Sequence, residues 1–289
     1  MQKTPVRFVL WEANVRAHPY RQKVAAARAG GFHVLTMPAR IYTHELETGS
    51  SDADILAIAR DAGVTLDFLD GMSSWAPIRF PATVEEWIRK AFDYSVEESL
   101  KICDVLGLKH ILAVGAFDKG AVEMPQLIDA FGRFCEQAGR YGVWVDLEPM
   151  PMLGIPNLEM AWEIIGKVGA KNSGIMLDTW HFMRAGADFP LLRSLPAGVI
   201  SDVQVVDATT TARCGDLWKE AAHYRMFPGE GELPLLEILG IIHAKGGIRS
   251  VGPEIFSDEA DAMTPKDCGE RSARTTSAVL VKVGFMVAS

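Results

Sequence analysis

Three carboxylates and one amide stand out: Glu148, Asp178, Gln204 and Glu254 each close a short apolar run. The runs are Val143-Trp-Val-Asp-Leu-Glu148, Ser173-Gly-Ile-Met-Leu-Asp178, Val203-Gln-Val-Val-Asp207 and Ser250-Val-Gly-Pro-Glu254. Taking a lone carboxylate out of water costs several kcal/mol unless something cationic meets it. Acids at the ends of buried strands therefore predict a cationic partner, and a bound divalent ion is the simplest.

Strand parity brings the four together. Alternate residues of a strand face opposite ways, so Val143, Val145 and Leu147 point outward and Glu148 inward. The same rule turns Ile175 and Leu177 out with Asp178 in, Val203 and Val205 out with Gln204 in, and Val251 and Pro253 out with Glu254 in. The spacings are 30, 26 and 50 residues, about one strand-plus-helix unit each apart from the last. That longer interval contains Thr209 to Glu232, too long for a simple connection and expected to act as a lid.

The elements that must carry these residues alternate along the chain. Strand-like runs are Phe8–Trp11, His33–Met37, Val64–Leu69, His110–Val114, Val143–Leu147, Gly174–Leu177, Ser201–Val206 and Arg249–Ile255. Helices are expected after Pro19, from Ser51 to Ala62, from Pro125, from Asn157, after Asp188, from Pro234 and from about Cys268. One long helical pattern runs through Val84, Trp87, Ile88, Ala91, Phe92, Val96, Leu100 and Cys103 at three-and-four spacing. Eight alternating units predict parallel strands, right-handed crossovers and a closed (β/α)8 TIM barrel; no Gly-x-Gly-x-x-Gly supports an open doubly wound sheet. No linker-like stretch interrupts the chain, so residues 1–289 are read as one domain.

Composition narrows the function. The 289 residues are 48% hydrophobic and 23% charged, with a formal net charge of −8. That charge and the lack of a basic run oppose binding to a nucleic-acid backbone. No stretch approaches the roughly 20 apolar residues of a membrane span. The N-terminus lacks the apolar core of a signal peptide, and the four cysteines form no C-x-x-C pair. A reducing, cytoplasmic location is the expectation.

Asp146-Leu-Glu148-Pro, Leu177-Asp-Thr-Trp-His181, Val203-Gln-Val-Val-Asp207, Arg225-Met-Phe-Pro-Gly-Glu-Gly-Glu232 and Pro253-Glu-Ile255 resemble the xylose-isomerase-like TIM-barrel superfamily, specifically its sugar phosphate isomerase/epimerase family. The resemblance implies one divalent metal held by Glu148, Asp178, Gln204 and Glu254, with His181 and Arg225 contacting substrate oxygens. That family usually has histidine where this chain has Gln204. Four oxygen donors form a harder set, which favours Mn²⁺ or Mg²⁺ over Zn²⁺. The DNA-cleaving branch of the superfamily needs more rim histidines than His18 and His181 and a basic face.

The resemblance further implies a small carbohydrate or cyclitol substrate, and it is compatible with a homodimer. A divalent ion chelating a ketone and its neighbouring hydroxyl stabilises an enediolate, while Glu148 and Glu254 take and return the proton and His181 polarises the carbonyl. That chemistry is isomerisation or epimerisation of a keto-sugar. With a leaving group β to the carbonyl the same enolisation makes a dehydratase or lyase, and a barrel that only binds sugar is the non-catalytic alternative. Some keto-sugar epimerases place a glutamate six residues after the first metal-binding acid, where this chain has Gly154. His18 is expected at the rim in contact with substrate. Trp11, Trp75 and Trp180 are candidates for an apolar wall. Asp146 and Asp202 are read as hydrogen-bonded interior acids.

Overall fold

Eight parallel strands close into a barrel in chain order: β1 (Arg7–Leu10), β2 (Val34–Pro38), β3 (Thr65–Met72), β4 (His110–Val114), β5 (Trp144–Glu148), β6 (Ser173–Asp178), β7 (Ile200–Val205) and β8 (Ser250–Pro253). Pairing of Arg7 with Ser250 and Phe8 with Val251 shuts the barrel between β1 and β8. The structure is a computed structural model that describes residues 6–77 and 92–287.

Between the strands run α1 (Tyr20–Gly30), α2 (Ala39–Glu47), α3 (Asp52–Asp61), α4 (Val96–Leu106), α5 (Met124–Arg140), α6 (Leu158–Val168), α7 (Thr179–Arg184), α8 (Phe189–Ser194), α9 (Leu217–His223), α10 (Leu235–Lys245), α11 (Asp258–Asp261) and α12 (Pro265–Lys282). Local chemistry explains their starts. Ser51 and Asp54 form a capping box at α3, Pro125 sits in the first turn of α5, and Asn157 Oδ1 accepts from Met160 N at α6. Such side-chain caps contribute about 1 kcal/mol each.

The long pattern expected to run from Val84 to Cys103 is not one helix. Its positions 84–91 lie outside the described residues, and residues 93–95 are non-helical. Ser95 and Glu98 then form a reciprocal capping box that starts α4 afresh. The three-and-four spacing of apolar residues continues across that break, but Ser-x-x-Glu is a start signal in its own right.

Parity holds along the strands. Val145, Leu147, Ile175, Leu177, Val203, Val205 and Val251 pack outward into the cluster that includes Phe131, Phe134, Ile164, Leu192 and Ile238 of the helices. Val9, Val34, Phe68, Leu112 and Met176 fill the barrel interior.

Below that apolar layer, at the strands' N-terminal ends, the interior is polar. Arg7 pairs with Asp67, and its Nη2 lies 2.8 Å from His110 Nε2. A guanidinium only donates, so His110 Nε2 must accept and Nδ1 carries the proton, directed at Asp146 Oδ2 3.3 Å away. Asp146 also accepts from Trp144 Nε1 and Ser201 Oγ. Its neighbour Asp202 accepts from Ser250 Oγ on one oxygen, while the buried Oδ2 has no donor. Burial, then the Asp146 charge, push Asp202 up to about 8. Asp146 is supplied with donors as an ionised carboxylate and Asp202 is not, so Asp202 holds the proton of the pair. These acids are interior hydrogen-bonded groups, as their parity one layer deeper than Glu148 predicts.

Candidate active site

At the opposite, C-terminal ends of the strands, register sets Val114 beside Glu148, Asp178 beside Gln204, and Gln204 beside Gly252. Glu148 and Asp178 end β5 and β6, Gln204 is the penultimate residue of β7, and Glu254 follows β8. All four are buried, at 5% exposure or less. Gln204 Nε2 donates to Glu254 Oε1 at 2.8 Å. Asp178 caps α7 by accepting from His181 N at 2.8 Å, which holds the imidazole beside the acids. His181 Nε2 stands 3.5 Å from Glu148 Oε1. Glu148, Asp178 and His181 each present one ligand atom, all within 4.8 Å of one another, a group able to hold a metal.

Arg225 reaches the same centre. Its Nη1 donates to Asp178 Oδ2 at 2.8 Å and to Glu254 Oε2 at 2.9 Å, and Nη2 lies 3.1 Å from His181 Nε2. The guanidinium is buried between the rings of Phe256 and Trp180, whose centroids are 5.0 and 5.3 Å from Cζ. Burial works against the Arg225 charge, but Asp178, Glu254 and Glu148 outweigh it and raise the pKa. Burial also lifts Glu148 well above the usual carboxylate range, reinforced by Glu254 and Asp178, and lifts Glu254 despite the opposing pull of Arg225. The imidazole of His181 is driven down to about 3, mainly by burial, and is neutral.

Two buried acceptors here, Glu148 Oε1 and Gln204 Oε1, have no hydrogen-bond donor. Buried acceptors are rarely left so. Three carboxylates face one guanidinium, an excess of negative charge. Unpaired oxygens and surplus charge at one point are what a divalent cation satisfies, so these residues fit a metal.

The segment expected as a lid is folded against the barrel and positions Arg225. Met226 and Asp207 exchange backbone hydrogen bonds, Arg225 N donates to Phe256 O, and Tyr224 bridges to Ser257. The Asp207 carboxylate accepts from Ala208 N, Gly229 N and Leu233 N and so pins the Pro-Gly-Glu-Gly turn. A Cβ at Gly231 would strike Asp207 and the Ala208 carbonyl, which explains the glycine. Upstream, Arg184 clamps buried Glu220 and the carbonyls of Thr209 and Thr210. Asp207 and Glu220 thus hold the segment that carries Arg225. Asp207 sits in the Val-Gln-Val-Val-Asp motif, whereas nothing in the residues around Glu220 sets it apart.

His18 has no hydrogen bond to the three acids or the amide; half-buried, it sets its Nε2 3.1 Å from Met263 O in the turn before α12. Trp180 is fully buried under Arg225 and Arg184. Trp11 lies inside the barrel on Phe68, and Trp75 Nε1 donates to Val114 O. At Gly154 a Cβ would overlap the Phe117 ring, so packing leaves no room for a glutamate.

No helix of the described residues is long and apolar enough to cross a membrane. Inosose isomerase of Bacillus subtilis (strain 168) is 26% identical over 189 residues, covering 63% of this chain and 66% of that protein. A 3-dehydroshikimate dehydratase of Pseudomonas putida is 24% identical over 241 residues, covering 82% of this chain and 36% of its relative. The chain thus spans about two thirds of the first relative's length and about a third of the second's. The crystal structure of the IOLI protein with a bound zinc atom superposes with a TM-score of 0.82 at 19% identity, over 97% of this chain and all of that one, a likeness of fold. The family model described as Xylose isomerase-like TIM barrel matches residues 23–277. The chain belongs to the xylose isomerase-like TIM-barrel family.

Proposed function

We propose that this protein is a divalent-metal-dependent isomerase or epimerase that moves a proton beside the carbonyl of a keto-sugar or related polyol through an enediolate. The observation that carries the reading is the pair of donorless buried oxygens, Glu148 Oε1 and Gln204 Oε1, set among three acids. Glu148, Asp178, Gln204 and Glu254 would hold the ion, with His181 beside Glu148. When bound, the ion acts as a Lewis acid that draws charge from a substrate oxygen. Oxygen donors favour Mn²⁺ or Mg²⁺ over Zn²⁺.

The protein's own residues handle the proton. Glu148 has an oxygen free of protein partners, and burial raises its affinity for a proton, which suits a base that must hand the proton back. Glu254 is held by Gln204 and Arg225 on separate oxygens and is fixed for the return step. Neutral His181, its backbone fixed by the Asp178 cap and its ring by Arg225 Nη2, serves a substrate oxygen as hydrogen-bond partner. Arg225 balances the acids and is placed to meet a substrate oxygen at the same centre.

A second reading, lyase chemistry on a ketone with a β leaving group, is favoured by Gly154 and by similarity to a 3-dehydroshikimate dehydratase. The deciding experiment incubates Mn²⁺-loaded protein with a panel of ketoses and inososes in D₂O. Deuterium entering beside the carbonyl supports isomerase or epimerase action. Elimination product in its place selects the lyase, and neither outcome on any ketone would leave a barrel that only binds sugar.

A further inference from the structure

Across the mouth of the barrel from Glu148 and Glu254 stands Asp70, near the end of β3 and in register with Pro38 at the end of β2. Asp70 Oδ2 accepts from Thr36 Oγ1 at 3.0 Å, and that hydroxyl in turn accepts from Glu12 N at 2.9 Å. The Thr36 proton therefore has one direction, toward Asp70. Glu12 is a different kind of acid: it is buried, and its two oxygens are taken by Lys23 Nζ at 2.6 Å and Arg40 Nη2 at 2.7 Å.

Asp70 has no cation of its own among the described residues, and Thr36 is its one side-chain hydrogen-bond partner there. The residue is half-buried at the strand end. Its charge reaches both Glu148 and Glu254 and raises their pKa values, so the three acids share one space. Burial, then the charge of Glu12, push Asp70 itself up to about 7. A carboxylate accepts hydrogen bonds from hydroxyl groups.

We propose that Asp70 is a specificity residue of this site, binding hydroxyls of an uncharged polyhydroxy ketone or cyclitol on the side away from the metal-binding acids and repelling substrates that carry a carboxylate or phosphate. The inference rests on reading the strand ends as a polyol site. Arg225 pairs Asp178 and Glu254 and is turned inward, and Arg40, whose charge reaches Asp70, is held by Glu12, so an anionic group on the Asp70 side would meet like charge and no uncommitted cation among the described residues.

The test is calorimetric titration of Mn²⁺-saturated protein with myo-inositol, an uncharged ring polyol, and with shikimate, a ring polyol that carries a carboxylate. The native protein should bind myo-inositol at least about tenfold more tightly than shikimate. Asp70→Asn should weaken myo-inositol binding by about tenfold, the loss expected for a hydrogen bond to a charged group, and Asp70→Lys should turn the preference toward shikimate. Mn²⁺ stoichiometry, measured alongside, should be the same in all three proteins. Native preference for shikimate, absence of myo-inositol binding, or binding unchanged within about twofold in Asp70→Asn and Asp70→Lys would each overturn the assignment. Failure of the native protein to take up Mn²⁺ while Asp70-dependent polyol binding persists would refute the metal-dependent mechanism and leave the role of Asp70 standing.

Discussion

Replacing Asp202 with asparagine should make the protein more stable at alkaline pH and no more stable at acidic pH. Asp202 is fully buried, and its Oδ2 has no donor, while the neighbouring Asp146 accepts from His110, Trp144 and Ser201. The groups facing the pair are Arg7 on β1, Asp67 on β3, His110 on β4, Trp144 on β5, Ser201 on β7, and Arg249 and Ser250 at β8. Asp202 binds its proton more tightly folded than unfolded. Its contribution to stability is therefore complete below the unfolded pKa of 3.8, falls as pH rises, and is lost by about 8.

That interval of about four pH units, at about 1.4 kcal/mol each, sets a ceiling of about 6 kcal/mol; relaxation and hydration of the site bring the expected figure nearer 3 kcal/mol. Asparagine reproduces the protonated form: its carbonyl accepts from Ser250 and its amide donates to Asp146. Asp146→Asn does the reverse, turning an amide toward groups that donate, and should destabilise across the whole range. Urea unfolding of native and Asp202→Asn proteins between about pH 5 and 9 measures the difference, in which titrations elsewhere cancel. Curves for the two proteins that run parallel with pH would refute the shared-proton account.

Two further outcomes follow from the active site. Arg225→Met leaves Asp178 and Glu254 without their buried counter-charge and should cost about 3 kcal/mol of stability; added Mn²⁺ should raise the melting temperature of this variant more than that of the native protein, and equal shifts would contradict the shared-charge picture. Gln204→His replaces a hard oxygen donor with imidazole and should raise the preference for Zn²⁺ over Mn²⁺ by about tenfold in competition dialysis, while an unchanged ratio would mean that residue 204 does not touch the ion.

Much of the fold was legible because strand signals are local. Short apolar runs, their parity and the caps at Ser51, Asn157 and Asp188 are encoded within a few residues, so eight strands and the inward set of Glu148, Asp178, Gln204 and Glu254 could be read directly. The restart of a helix at Ser95 was hidden because apolar spacing continues across it. The site's electrostatics were less visible, since they depend on residues far apart in the chain. Arg225 lies 47 residues from Asp178 and 29 from Glu254, and only folding shows that its guanidinium joins both. The approach of His181 to Glu148 depends on the Asp178 cap, and the division of roles between Asp146 and Asp202 depends on donors from three other strands and one from β5 itself.

The central claim is that the buried acids and amide at the strand ends hold one divalent cation. Elemental analysis of the protein after equilibration with Mn²⁺ and gel filtration, with Glu148→Ala measured beside it, tests this most directly. About one ion per native chain and a clear loss in Glu148→Ala are predicted. A native protein that takes up no Mn²⁺, Mg²⁺ or Zn²⁺, or a Glu148→Ala variant that binds as well as the native chain, would contradict it.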